Sequence, residues 1–356
     1  MNRLTALQSL LTHNHLDALL LTSPTNRLYA SGFVSSAGMI LVTKDGGWLF
    51  TDARYIEAAR AQVTGFSVAL ANREHTYKKQ VGALLAAHNV GTLGFEQSVM
   101  TVSQYRELTE AWPDTEFVPA QAALAALRMV KSDGELALLR EAQRVAETAY
   151  KALLPKIRPG LTEKQVCAEL IHQMYLAGAD GLSFEPIVAS GPNAALPHAQ
   201  PGDRSLRAGD FLLLDFGVIY KSYCSDTSRT VALGHATEEM RRVYGVVLRA
   251  QQAGIAAARA GVTGADIHKA AQDVIADAGY GDNFGHGFGH GIGLEVHEPG
   301  SASPSETEPL PVGAVLSAEP GIYLPGRFGV RIEDVIALTE TGCENLTLLD
   351  KELLVL

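Results

Sequence analysis

The chain repeats itself. RPGLT begins at Arg158 and RAGVT at Arg259, 101 residues later, and Ala177-Gly178 and Ala278-Gly279 keep that spacing. LRAGDFLLLD, from Leu206, then aligns with LPVGAVLSAE, from Leu310, at a spacing of 104. Under this alignment Asp215 falls on Glu319 and, with three more residues allowed, Asp226 falls on Glu333. Each repeat reads as two helices followed by a β-hairpin. Ser132 and Glu135 have capping-box spacing before one long amphipathic helix, Thr162 and Gln165 repeat it before the next, and two further helices fit 238–260 and 264–277. A duplication that carries acid onto acid predicts two α-α-β-hairpin halves facing one another across a shared sheet.

The residues before this repeat are of another kind. Strand-like AGMILVT and GWLFTD alternate with helical ARYIEAARAQV and TYKKQVGALLAAH, which predicts a small α/β domain. A chain of 356 residues with 47% hydrophobic content is too long for one ordinary core. We therefore expect an N-terminal domain over 1–130 and a second domain over 131–356. The net charge of −10, with no basic stretch, excludes nucleic acid as a partner class. Asn14, His15 and Asp17 interrupt the N-terminal apolar residues, which predicts neither a signal peptide nor a membrane span. Cys167, Cys224 and Cys343 form no CxxC pair, as suits a reducing cytoplasm.

The hairpins carry the chemistry. If FLLLDFGVIY and YCSDTSRTVAL turn at Tyr220-Lys221, Asp215 lies directly opposite Asp226. LSAEPGIY and GVRIEDVIAL, mirrored about Gly326, pair Glu319 with Glu333 in the same way. Each pair of carboxylates at 4 Å repels by roughly 4 kcal/mol at an effective dielectric near 20. Two divalent cations would cancel four such charges. A lone Asp on a strand is more often a solvated residue, but Asp215 is embedded in FLLLDFG, where an unpaired charge is costly.

GHGFGHGIGLEVHE, from Gly285 to Glu298, adds His286, His290 and His297, with glycine at every odd position from 285 to 293. The spacing of His286 and His290 suits a zinc-binding helix, but no Glu follows His286 and the glycines disfavour helix. As an extended strand it places His286 and His290 on one face and His297 on the other. For His290 and His297 to reach one site, a bulge or sharp twist must lie between them.

These residues together are recognisable. DFG with SDTSRT, GHGIGLEVHE, SAEPGIY and VRIEDV resemble the motifs of the pita-bread dinuclear metallopeptidases, in their proline-directed branch. The first 130 residues, TDARY at 51–55 included, resemble the creatinase-type N-terminal domain of that branch. The resemblance implies an α/β (α+β) chain, with a creatinase-like domain ahead of a pita-bread domain that has an internal pseudo-two-fold repeat. It makes Asp215, Asp226, His290, Glu319 and Glu333 the metal ligands, with Asp226 and Glu333 touching both ions. It gives His198, in GPNAALPHAQ, and His297 to the substrate and transition state. It sets His286, Tyr323 and Arg331 along the proline side of the cleft. The remaining histidines are read as surface or packing residues.

The implied reaction is that of aminopeptidase P. A metal-bridging hydroxide would hydrolyse the bond between an N-terminal residue and a following proline, with Glu319 shuttling the proton. The oxygen-rich donor set suits two manganese ions, with cobalt or zinc also compatible. The alternative is proline dipeptidase. It must hold the substrate's C-terminal carboxylate, normally with a cation, and EPGSASPSETEPL after His297 contains no Lys or Arg. That absence favours the aminopeptidase. A methionine aminopeptidase, a non-catalytic binding protein on the same fold and a metal-free creatinase-like hydrolase rank below both. Peptides with proline at the second position and a second copy of the chain are the partners the resemblance implies, with no nucleic acid and no membrane.

Overall fold

Ala18–Leu21 is buried along its whole length, and its alternate side chains enter different cores. Leu19 and Leu21 pack with Leu7, Leu11 and Ile40, whereas Ala18 and Leu20 pack with Phe50, Val81 and Leu93. An apolar run with no polar alternation needs cover on both faces, and helices provide it. The strand lies inside a six-stranded mixed sheet ordered Ser67–Leu70, Gly46–Thr51, Met39–Thr43, Ala18–Leu21, Thr92–Phe95, Glu116–Pro119. The structure, a computed structural model, describes residues 3–356. It divides into two compact units, Met1–Leu127 and Arg128–Leu356.

The second unit is built twice from the same parts. Helices Asp133–Leu153 and Glu163–Leu176 open on complete capping boxes at Ser132/Glu135 and Thr162/Gln165. Helices Glu238–Ala257 and Gly264–Asp277 follow, capped by Thr237 and Thr263. The first of these stops short of 260 because Ala258 turns extended, at ψ 116°. The backbone repeats the sequence spacing. Gly160 donates to Leu206 O and Gly261 to Leu310 O, both at 2.9 Å. Leu206 and Leu310 bond back to Leu161 O and Val262 O at 2.8 and 3.0 Å. Gly160 and Gly261 both take positive φ, 95° and 81°, which a side chain would strain.

Each helix pair covers its own strands. Phe211–Phe216 lies between Ile187–Ser190 and Thr227–Ala232, and Leu212, Leu214 and Phe216 pack on Leu153 and Leu170. Val315–Ala318 lies between Gly289–Gly291 and Asp334–Leu338, and Leu316 and Ile336 share a core with Val243, Val247 and Ile267.

The expected shared sheet is not formed. Hydrogen bonding leaves two three-stranded sheets, a five-stranded sheet and a two-stranded hairpin, and the halves meet where Glu333 N–H donates to Ser228 O at 3.1 Å. Beside that bond, side chains occupy the backbone groups that a continuous ladder would use. Thr230 Oγ1 donates to Arg331 O and accepts from Arg331 N, at 3.1 and 3.2 Å. Arg229 donates to Ser228 O and Glu333 O and pairs with Asp334 at 2.8 Å, wholly buried.

Candidate metal centre

The two hairpins bring their acids together by different registers. Gly321–Leu324 pairs with Phe328–Arg331 so that Gly321 faces Arg331, and Ala318 faces Asp334. This is the predicted symmetry about Gly326, and it aligns Glu319 with Glu333. In the first hairpin Asp215 faces Ser228 rather than Asp226. The turn sits at Lys221-Ser222, both at positive φ (46° and 72°), one residue beyond the predicted centre. The resulting slip is two residues, and an even slip leaves every side chain on its face. Asp226 is therefore the diagonal neighbour of Asp215, on the same side of the hairpin.

His290 arrives on Gly289–Gly291, a strand that must lie close to its neighbours. A Cβ on Gly289 would stand 1.9 Å from Ser317 O, and one on Gly291 2.4 Å from Pro299 O. The ladder with Glu298–Ala302 shifts register between His290 and Gly291. The chain turns back over 292–297, so the stretch read as one extended strand is a hairpin, and that turn brings the rings of His290 and His297 edge to face, centroids 4.2 Å apart. His290 Nδ1 lies 3.1 Å from Gly291 O, so Nε2 is turned to the acids. Nε2 stands 3.3 Å from Glu319 Oε1 and 3.5 Å from Asp226 Oδ2. Donor atoms of Asp226, His290 and Glu333 all lie within 4.8 Å of one another.

This cluster is short of positive charge. Burial pushes the Asp226 carboxyl up to about 7, with Asp215 adding repulsion against the pull of His290. Burial, then repulsion from Asp226, Glu319 and Asp215, raises Glu333 well above the carboxylate range. Asp215 is raised by burial although Arg331 opposes it. Burial would also raise Glu319, but His290 outweighs it and holds that carboxyl down to about 2. Three carboxylates each keep one buried oxygen without a hydrogen-bond partner among the described residues: Asp215 Oδ1, Asp226 Oδ1 and Glu333 Oε1. Leaving a buried acceptor unsatisfied costs about 1–3 kcal/mol, and more for a charged one. Unsatisfied carboxylate oxygens around a single imidazole are a donor set that fits hard divalent cations.

A cleft of about 480 Å³ opens over these residues, and all ten of the site residues expected from the sequence line it. Its far wall is a relay of hydrogen bonds. His286 Nε2 lies 3.0 Å from the Tyr323 hydroxyl, which accepts from Arg331 Nη1 at 2.9 Å. Arg331 also bonds Asp215, Ser228 Oγ and Pro197 O, so it ties the cluster to the loop that carries His198. His198 and His297 are exposed at the cleft.

Sequence reasoning passed over four residues here. Ser228 donates to Glu333 Oε2 at 2.8 Å, and Ser317 donates to Glu319 Oε1 at 3.1 Å and accepts from His290 N at 2.9 Å. Ser317 stands two residues before Glu319 and Ser228 two after Asp226, so strand periodicity placed both beside the acids. Phe184 and Glu185 line the cleft from a loop, where no pattern marks them.

Residues 137–340 match metallopeptidase family M24, and residues 3–130 match the creatinase/prolidase N-terminal domain. The Xaa-Pro dipeptidase from Bacillus anthracis is 39% identical, with a TM-score of 0.95 and 99% of each chain covered. The X-Pro aminopeptidase from Thermotoga maritima is 36% identical, with a TM-score of 0.92 and 100% of each chain covered. An Xaa-Pro dipeptidase of Pyrococcus furiosus is 33% identical over 99% of this chain and 99% of its own length. The chain therefore belongs to metallopeptidase family M24, in its pita-bread form with a creatinase/prolidase N-terminal domain.

Proposed function

We propose that the chain is a dinuclear metallo-exopeptidase that cleaves Xaa-Pro dipeptides, a prolidase. The observation that carries this is the set of orphaned carboxylate oxygens around His290, in a chain whose relatives from Bacillus anthracis and Pyrococcus furiosus are named Xaa-Pro dipeptidases. Asp215, Asp226, His290, Glu319 and Glu333 would hold two divalent ions, for which manganese suits the oxygen-rich donor set. Bound there, such ions supply Lewis acidity, polarising the scissile carbonyl and acidifying solvent.

The chain's own residues do the rest. Glu319 Oε1 is held by Ser317, and its other oxygen takes a proton from the attacking water and passes it to the proline nitrogen. His297 donates to the carbonyl oxygen as negative charge develops there, and His198 steadies the substrate across the cleft. The bond before proline is a tertiary amide with no N–H, so the site needs no acceptor for one. His286, Tyr323 and Arg331, locked by their mutual hydrogen bonds, wall the space the ring enters.

A second reading is aminopeptidase P, which the sequence alone favoured. Among the residues lining the cleft Arg331 is the only Lys or Arg, and it is engaged by Asp215, Ser228 and Tyr323. Among the described residues lining the cleft, none offers a free Lys or Arg to a dipeptide's carboxylate. The Thermotoga maritima relative is named an X-Pro aminopeptidase. The names of the dipeptidase relatives weigh more, so the dipeptidase stands first. Rates on Ala-Pro and on Ala-Pro-Ala with manganese supplied decide between them: faster cleavage of the dipeptide supports prolidase, and faster cleavage of the tripeptide supports aminopeptidase P.

The proposal places the enzyme in the cytoplasm as a homodimer. Its three cysteines are unpaired thiols, and no helix among the described residues is long and apolar enough to cross a membrane.

A further inference from the structure

His297 is aimed by its backbone alone. Its imidazole packs against His290 and makes no hydrogen bond among the described residues. The residues before it, Ile292 to Val296, lie outside any strand or helix. Ile292, at its start, donates to Val315 O at 3.2 Å, and the rest of the segment is fastened by the side chain that follows His297. The Glu298 side chain is 1% exposed, and its Oε1 accepts from Leu294 N at 2.8 Å and Glu295 N at 3.2 Å, so its carboxylate closes the segment into a loop. Arg128 Nη2 donates to the same oxygen, and Lys131 Nζ donates to Oε2 at 3.0 Å.

Both cations are buried, with side chains 7% and 2% exposed. Arg128 also reaches Glu295 Oε2 at 2.7 Å, on the same loop. Gly293 makes room for the carboxylate, since a Cβ there would lie 2.5 Å from Glu298 Oε2. The opposite edge of the loop is held by Cys224 N donating to Gly293 O at 2.8 Å, two residues before Asp226. Lys131 is itself fixed, with its N–H donating to Gly313 O at 2.9 Å.

Taking a carboxylate and two cations out of water is a poor way to gain stability, because desolvation offsets the attraction. It is a good way to hold one geometry, because every member must keep its partner. We infer that Glu298, clamped by Arg128 and Lys131, is a positioning residue that sets the direction of the His297 imidazole over the metal centre. This rests on the proposed role of His297 in peptide cleavage. The clamp touches neither substrate nor ion; it acts through the loop.

The test is a double-mutant cycle on manganese-loaded protein, with Ala-Pro and Ala-Pro-Ala as substrates, manganese content by elemental analysis and melting temperature alongside. Glu298→Gln keeps an acceptor for Leu294 and Glu295 but removes the charge. In the wild-type background it should lower kcat about tenfold, with KM within about twofold and manganese content unchanged. In the His297→Ala background the same change should lower kcat by less than about twofold, since the residue it aims is gone. Lys131→Met should reproduce the effect where Glu298→Gln does not fold, and Lys131→Arg should largely restore kcat. Equal losses in both backgrounds, a loss that follows manganese content, or no loss at all would overturn the inference. A wild-type protein that cleaves neither peptide overturns the proposed function itself, and that result is read before any variant is made.

Discussion

Ser228 and Glu333 are bonded twice, once through the backbone and once through the side chains. Glu333 N–H donates to Ser228 O at 3.1 Å, and Ser228 Oγ donates to Glu333 Oε2 at 2.8 Å. One residue belongs to each half of the repeat, so the seam of the fold runs through the metal centre. The serine also accepts from Arg331 Nε at 2.8 Å, which leaves Glu333 Oε1 as the oxygen free for a cation. Ser228→Ala should weaken manganese binding by about 10–100-fold, as loss of an outer hydrogen bond to a ligand does. A metal titration of the variant checks this, and wild-type affinity would remove Ser228 from the account.

Asp226 has one oxygen facing His290 and one with no protein partner. Asp226→Asn should reduce the manganese bound per chain and abolish turnover, because an amide supplies no charge to balance a second cation. Elemental analysis after gel filtration reads the stoichiometry directly. Chelation of the wild-type protein should likewise remove activity, and added manganese should return it.

His297 faces the cleft beside His290 but holds neither acid. His297→Ala should lower kcat by about 10²–10³, the usual effect of losing one donor to a developing oxyanion, and should change KM much less. Steady-state kinetics on Ala-Pro separates the two constants, and a pure KM effect would contradict the assignment.

Glu185 is exposed at the cleft and has no hydrogen-bond or ion-pair partner among the described residues. An unpaired negative charge there should favour substrates with a positive side chain. The ratio of kcat/KM for Lys-Pro over Glu-Pro should fall by about 3–10-fold in Glu185→Gln, the scale of one screened charge pair near a surface. Ala-Pro cleavage should be unchanged, and a ratio that stays constant would show that this carboxylate does not read the substrate.

The Glu298 carboxyl also makes a statement about acid stability. Burial opposes its ionisation, but Lys131 and Arg128 outweigh burial and hold it below the usual range. Its folded value lies below the unfolded value of about 4.3, so its contribution is complete above that pH and is lost as pH falls through the folded value. Urea midpoints measured between about pH 3 and pH 6 should therefore drop more steeply on acidification for the wild type than for Glu298→Gln. Parallel curves would mean the ion cluster does not contribute.

The parts of the site that were legible in sequence were those governed by period and spacing. The Glu319–Glu333 register followed from one central glycine, Gly326, whose φ of 74° supplies the turn. The Asp215–Asp226 register did not, because Lys221 and Ser222 take left-handed backbone that such residues rarely adopt, and nothing in their identity announces it. Convergence of the acids survived the error because face parity depends only on odd or even slips. The shared sheet failed for a tertiary reason: across the seam the Arg229 guanidinium takes Glu333 O, and the Thr230 hydroxyl takes the carbonyl and amide of Arg331. No local pattern shows that a strand's own side chains will compete with its neighbour's backbone.

The recurrent bonds from Gly160 to Leu206 and from Gly261 to Leu310 close within one half each. Each half thus repeats the same closure and brings two of the four acids, and only the later half brings the imidazole, while the C-terminal residues Leu354 and Leu356 bond back to Ala232 of the earlier half. Severing the peptide between the halves, at exposed Gly234-His235, would leave fragments whose mutual affinity rises with dissolved cation. Ion uptake and the joining of the two fragments would then be linked, so that a chelator should weaken their association.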